Sequence, residues 1–340
     1  MIPKLPPHPS RRSFINQCLA GASALPLASA LLTKTRATAQ DKQQPAVDSP
    51  GSIDAHVHVW TPDIKQYPLG PNFKVDDMQP PSFTDAELLG HCNPLGVDRI
   101  VLVQMSFYQY DHRYMLQVMR KHPGTFSGVG LIDHRSPQLG ERIVELAASG
   151  IRGFRIHSMG DADDWVADPG MHRLWRQATE EGLAICPLIN PTDIPYVEAL
   201  CKKFPDTTVV VDHFARIGVS GTIEKDPLDR LCRLARFPNT HVKTSAFYAL
   251  GKTAPYDDLI PMMRRVLDSY GPERLMWGSD CPYQVQDGGT YESSLALIRD
   301  RIDFLSDSDR QWLLRAPLKR CSLRSIKWLG GRFLQVEDSR

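Results

Sequence analysis

A repeated alternation constrains this chain more than any other feature. Eight short apolar runs, at residues 53–60, 99–106, 126–133, 151–158, 183–190, 207–214, 240–247 and 275–282, are rich in β-branched residues and separated by longer intervals. Helical periodicity falls in those intervals, at 112–122, 140–149, 169–181, 195–204, 228–237 and 255–270. Nearly continuous apolar runs suit parallel strands, because helices cover a parallel sheet on both faces and leave no solvent side for alternation. Eight strand–helix units predict an α/β chain folded as a (β/α)8 TIM barrel, which takes about 250 residues. The main rival is a doubly wound open sheet. No Gly-rich phosphate loop follows the first run, which counts against it.

Polar residues stand at the C-terminal ends of the runs: His56 and His58, Gln104, Asp133, His157, Asn190, His213, Ser245 and Asp280. Barrel enzymes place their chemistry at that end of the strands, although polar residues there also begin loops. The first run reads Ser52-Ile-Asp54-Ala-His56-Val-His58-Val-Trp60. Side chains two apart on a strand share a face, so both imidazoles point to one place. Imidazole is the commonest protein ligand of Zn²⁺. A lone His-x-His also occurs by accident on a half-buried strand, so the pair needs support from elsewhere in the chain. That support is a second and third group arriving at the same mouth, His213 in Asp212-His213 and Asp280 in Gly278-Ser279-Asp280-Cys-Pro282. Residues 61–84 hold several prolines with Tyr67 and Phe73 and little periodicity, the character of a lid or substrate-binding loop.

Composition sets the address and removes some partners. The chain has 340 residues, 42% hydrophobic and 23% charged, values of a globular protein with a large core. Its formal charge of +1 conceals a basic leader. Residues 1–39 carry Lys4, Arg11, Arg12, Lys34 and Arg36 and no acid, and the remainder is near −4. Neither value points to nucleic acid or an anionic membrane. Ser10-Arg11-Arg12-Ser13-Phe14-Ile15 resembles the twin-arginine export motif; a mildly apolar Ala-rich stretch over 18–32 and Ala37-Thr38-Ala39 follow in the order of a cleavable signal. The expectation is a signal peptide over 1–39, a linker over 40–50, a barrel over 51–330 and a tail over 331–340. The mature product would be periplasmic or exported by the twin-arginine machinery, with no stable membrane anchor; the alternative is a basic tail that stays attached. Six cysteines remain beyond residue 39, without a CxxC pair, which excludes a zinc ribbon.

With Asp54-Ala-His56-Val-His58-Val-Trp60, Asp212-His213, Lys243-Thr-Ser245 and Gly278-Ser279-Asp280-Cys-Pro282 in this order, the chain resembles the amidohydrolase superfamily. The resemblance runs from Gly51 to about Gly330 and is greatest to the amidohydrolase-related branch of sugar lactonases and 2-pyrone-4,6-dicarboxylate lactonase. It implies metal-ligand roles for His56, His58, His213 and Asp280, with Asp280 as the catalytic base and His213 as a catalytic group near the substrate carbonyl. One divalent ion, Zn²⁺, is the implied cofactor, and the branch includes members in which a bound metal is dispensable. The sequence departs from the dinuclear pattern. Strand four ends Phe154-Arg155-Ile156-His157 and strand five ends Pro187-Leu188-Ile189-Asn190, so no strand-four lysine or strand-five histidine is present.

The substrate is marked less sharply. Arg216 lies three residues past His213, and Arg155 shares strand parity with His157. Arginine binds carboxylates with a fork of donors, so both fit a small anionic substrate, while Arg155 fits a buried pair with a barrel acid equally well. His157 and Tyr108 are further candidates for contact with substrate, although for Tyr108 the position after strand two favours a surface-loop aromatic. The leading function is opening of a lactone of a small polar, carboxylated or sugar-derived molecule by water, with Asp280 as base. The alternatives are a metal-dependent non-oxidative decarboxylase, and a periplasmic binding protein without catalysis on the same barrel.

Overall fold

The computed structural model describes residues 51–315. The expected signal peptide and linker, and the chain beyond residue 315, lie outside the described residues. Eight parallel strands form one sheet in the order β1-β2-β3-β4-β5-β6-β7-β8. They are β1 Ser52–Val57, β2 Val97–Val103, β3 Phe126–Leu131, β4 Ile151–His157, β5 Ala184–Leu188, β6 Thr208–Val211, β7 Thr240–Thr244 and β8 Leu275–Trp277. The sheet returns on itself. Val57 bridges Cys281 in parallel, the His58 amide donates to the Cys281 carbonyl and the Asp280 amide to the His56 carbonyl, each at 2.8 Å. Sequential strand order with the last strand joined to the first is a (β/α)8 barrel, not a doubly wound sheet.

Every expected strand is present, and most end two to five residues earlier than the apolar runs suggest, because the last polar residues leave the ladder to start loops. Eleven α-helices are described, from α1 (Asp85–Cys92), through α2 (Arg113–Lys121) and α3 (Leu139–Ala148), to α11 (Asp307–Arg315). The segment after β1 is tied down. Trp60 bridges Phe83, its indole N–H donates to the Pro80 carbonyl at 2.8 Å, and Met78 and Tyr67 are buried. The segment ends where Thr84 caps α1, its backbone N–H donating to Glu87 at 2.6 Å in a capping box.

Two apolar cores share the work. A large one lies outside the strands, under the helices. A small one of Ala55, Val101, Val103, Val129, Ala184, Cys186, Val210 and Met276 fills the interior. Strand parity divides them, for Val210 faces in while Val209 and Val211 face out. Cys92, Cys186, Cys201, Cys232 and Cys281 are buried as free thiols, packing as small apolar groups.

Two buried histidines outside the barrel mouth carry a pH consequence. His112, whose Nε2 accepts from the Leu131 amide at 3.1 Å, and His241 on β7 are both pulled down to about 4, chiefly by burial. A histidine kept neutral when folded but protonated when unfolded gives stability that is full above about 6.5 and is lost as pH falls toward 4. His241→Gln is expected to flatten the acid limb of folding stability by about 1.4 kcal/mol per pH unit between pH 6 and 5. Urea unfolding at several pH values reads this directly, and an unchanged slope would remove His241 from the account.

Candidate active site

The mouth is built from strand ends whose backbone departs from ordinary geometry. β6 ends at Val211, and Asp212 keeps the inward parity of Val210. By the same alternation His213 belongs on the outer side. It turns inward because His213, Phe214, Ala215 and Arg216 all take left-handed φ, between 52° and 60°. Such angles cost an L-residue roughly 1–2 kcal/mol each, so surrounding contacts have to hold them. One is the 2.8 Å hydrogen bond between His213 Nδ1 and Ser245 Oγ just past β7. Asp280 is re-aimed in the same way after β8, at φ 62°. Gly278 permits this exit, since a Cβ there would stand 2.8 Å from the His56 Cβ and 3.0 Å from its backbone nitrogen.

His56 and His58 converge as their spacing predicts, with Nε2 atoms 3.3 Å apart. Asp280 Oδ1 completes a triangle, 3.5 Å from His56 Nε2 and 3.3 Å from His58 Nε2. His213 Nε2 approaches the same oxygen at 3.9 Å. All four are buried. Asp280 Oδ1 has no hydrogen-bond donor, whereas Oδ2 accepts from the Tyr248 hydroxyl at 2.8 Å. Burial pushes the Asp280 carboxyl up, but the imidazoles of His213, His58 and His56 outweigh it and hold it well below the usual carboxylate range. It is therefore ionised at neutral pH. Burial, reinforced by Lys243, holds His56 well below 6.5, so its ring is neutral and offers a lone pair.

This donor set fits a single divalent ion. Ligands at the 2.0–2.1 Å arms of a tetrahedral zinc site lie about 3.3–3.4 Å from one another, close to the three sides of the His56–His58–Asp280 triangle. A buried carboxylate oxygen facing three imidazole nitrogens without a donor also has the chemistry of a ligand. His56, Asp212 and His213 form a second group close enough to share an ion.

Beneath the triangle lies a charged layer. Asp212 Oδ1 is 3.0 Å from Lys243 Nζ and 3.4 Å from His56 Nδ1. Asp212 Oδ2 accepts from Arg155 Nε at 3.1 Å. Lys243 Nζ also lies 3.1 Å from His56 Nδ1, and Arg155 Nη2 is 2.6 Å from His56 Nε2. Of the two readings of Arg155, the pair with a barrel acid is what the structure holds. Burial pushes the Asp212 carboxyl up, yet Lys243 and Arg155 drive it well below the usual range. Asp54 is a clasp between β1 and the β8 exit, bonded on its far side to Tyr291 of the outer core. Its Oδ1 accepts from the His56 amide at 3.0 Å and the Ser279 amide at 2.9 Å, and its Oδ2 from the Tyr291 hydroxyl at 2.7 Å, tying β1 to the β8 exit. Burial raises its carboxyl to about 6.

The other sequence candidates separate. Arg216 stays beside the mouth, half-buried, its guanidinium pulled down by burial and sustained by Tyr248 and Asp280. His157 ends β4 half-buried. Tyr108 is buried, not a surface aromatic, and its hydroxyl accepts from the Thr61 amide at 3.2 Å, so in this state it holds the segment after β1. Gln104, Asp133 and Asn190 bond within their own loops and begin them. Asp212, Lys243 and Tyr248 had no role assigned from sequence. Lys243 carried a signal, since a lysine between Val242 and Thr244 in a buried strand requires a partner.

A closed eight-strand barrel with a His-x-His on the first strand, a strand-six histidine and a strand-eight aspartate defines a hydrolase-type barrel able to hold a metal. Residues 53–316 match the amidohydrolase family model, and the chain belongs to that family. It is 30% identical over 260 residues to an L-fucono-1,5-lactonase of Burkholderia ambifaria, covering 72% of this chain and 85% of that one. It is 27% identical over 243 residues to a 2-pyrone-4,6-dicarboxylate hydrolase of Comamonas testosteroni, covering 68% and 77%. The fold matches a crystal structure of a Burkholderia multivorans amidohydrolase with bound zinc at a TM-score of 0.67 and 23% identity, over 80% and 98% of the two chains.

Proposed function

We propose that this protein is a hydrolase that opens the ring ester of a small polar lactone, with Asp280 as the proton carrier. The observation that carries the reading is Asp280, an ionised carboxylate with one oxygen aimed at three imidazoles and the other held by Tyr248. The similarity to lactone hydrolases supports it. Water adds its oxygen to the lactone carbonyl carbon and gives a proton to Asp280. The ring C–O bond then breaks, and Asp280 returns that proton to the departing ring oxygen. His213, steadied by Ser245, orients the carbonyl, and the product is a hydroxy acid that releases a proton to solvent at neutral pH. His56, His58 and Asp280, with His213 beside them, would hold one divalent ion, Zn²⁺ in our reading. Such an ion polarises a carbonyl and lowers the pKa of water toward 7.

The experiment is a pH-indicator screen of sugar lactones and pyrone carboxylates. Acid release with water added to the product supports the reading; carbon dioxide release from an aromatic acid would replace it with decarboxylation, and no turnover would favour a binding role. Arg216 is proposed to grip a substrate carboxylate. Arg216→Met is expected to raise KM for a carboxylated lactone roughly 10–100-fold, the worth of a charged hydrogen bond, and to leave a neutral sugar lactone unaffected. Equal effects on both would reject that assignment. We also propose export by the twin-arginine route, on the Ser10-Arg11-Arg12-Ser13-Phe14-Ile15 motif; Arg11→Lys/Arg12→Lys should retain the protein in the cytoplasmic fraction.

A further inference from the structure

We propose that Arg155 competes with a divalent metal ion for the Nε2 lone pair of His56, so that a guanidinium built into strand β4 sets how tightly this site holds metal. Arginine keeps its protons in a protein and can only donate. Its Nη2 lies 2.6 Å from His56 Nε2, closer than the roughly 2.7–2.9 Å usual for a charge-assisted N–H bond. That contact requires His56 to accept through Nε2. A metal at the His56–His58–Asp280 triangle requires the same lone pair, and one lone pair serves one partner.

The guanidinium is not a loose side chain. Arg155 is buried, and Asp212 Oδ2 holds it from the other side, 3.1 Å from Nε and 3.1 Å from the same Nη2. Asp212 is in turn fixed by Lys243 at 3.0 Å. Metal entry therefore means turning Nη2 off His56 against an anchored fork. Formal charge acts in the same direction. Arg155 and Lys243 already place two cations against Asp212, and a divalent ion would add two more positive charges beside them. Buried cations repel an incoming ion far more than solvated ones do.

The inference rests on the metal triangle and not on the substrate, so a failed lactone screen leaves it untouched. The test is zinc binding to the full-length protein, stripped by chelator and titrated against a chromophoric zinc indicator, for the parent, Arg155→Lys and Arg155→Met. Arg155→Lys keeps a cation for Asp212 but replaces the fork; Arg155→Met removes charge and donors together. Both are expected to bind Zn²⁺ about tenfold to a hundredfold more tightly than the parent. Titration with Co²⁺ should show visible d–d bands of a histidine-ligated ion at lower cobalt concentrations in both variants. Folding is checked by circular dichroism, and if Arg155→Met does not fold, Arg155→Lys carries the test. Unchanged or weaker zinc binding in the folded variants overturns the proposal. Tightening in Arg155→Met alone also overturns it, because charge repulsion without competition for the lone pair would then suffice.

Discussion

Asp280→Asn is expected to lower kcat for lactone opening by roughly 10³–10⁴-fold, within the range for loss of a positioned acid–base group, while the fold survives. The amide matches the carboxylate in shape and keeps a carbonyl oxygen for the Tyr248 hydroxyl, now 2.8 Å from Oδ2. It cannot take a proton from water or return one to the ring oxygen. The effect belongs in kcat more than in KM, since the lost interaction develops as the proton moves. Steady-state kinetics beside a thermal melt separates this from unfolding. Retention of more than a few per cent of the parent kcat would show that another group carries the proton, and the Asp280 assignment would have to be withdrawn.

The second large effect concerns stability. Asp212 is a carboxylate shared by Lys243, Arg155 and His56 in a buried layer. Asp212→Asn leaves two buried cations without their counter-charge, a kind of change that costs about 3–5 kcal/mol. For a domain of this size that is a fall in Tm of roughly 6–12 °C. Lys243→Met should cost less, because Asp212 still has Arg155 and the remaining pair is neutral. Differential scanning calorimetry gives both values, and the order between them is the stringent part. If Lys243→Met melts lower than Asp212→Asn, the carboxylate is not the hub of the layer.

The fold was open to reading because its signal is redundant. Eight apolar runs each repeat the same statement, so small errors at the boundaries did not alter the topology. His56, His58 and Asp280 were readable for a related reason: each sits at the end of a run, where a barrel puts its chemistry. Asp212 and Tyr248 were not. The aspartate adjoins a histidine that draws attention, and which of the two faces inward depends on where alternation stops. Here both do, because the left-handed turn from His213 to Arg216 rotates the histidine back into the barrel. No local pattern of Asp-His-Phe-Ala-Arg announces four consecutive left-handed residues. The part played by Arg155 was undecidable in sequence, since its partner just past β6 is 57 residues away and only barrel closure brings the two to 3.1 Å.

By itself the sequence determined the periodicities, and through them an eight-unit barrel with imidazoles and a carboxylate at its mouth. Those properties are local: burial alternates with strand and helix periods whatever the chain does at long range. Only the tertiary structure decided which polar residues meet. The approach of Asp280 to the His56–His58 pair, the Lys243–Asp212–Arg155 layer and the guanidinium on the His56 lone pair are all distances between residues delivered by different strands. Such distances follow from barrel closure and from the positive φ angles at the strand exits, and hydrophobic periodicity encodes neither of these.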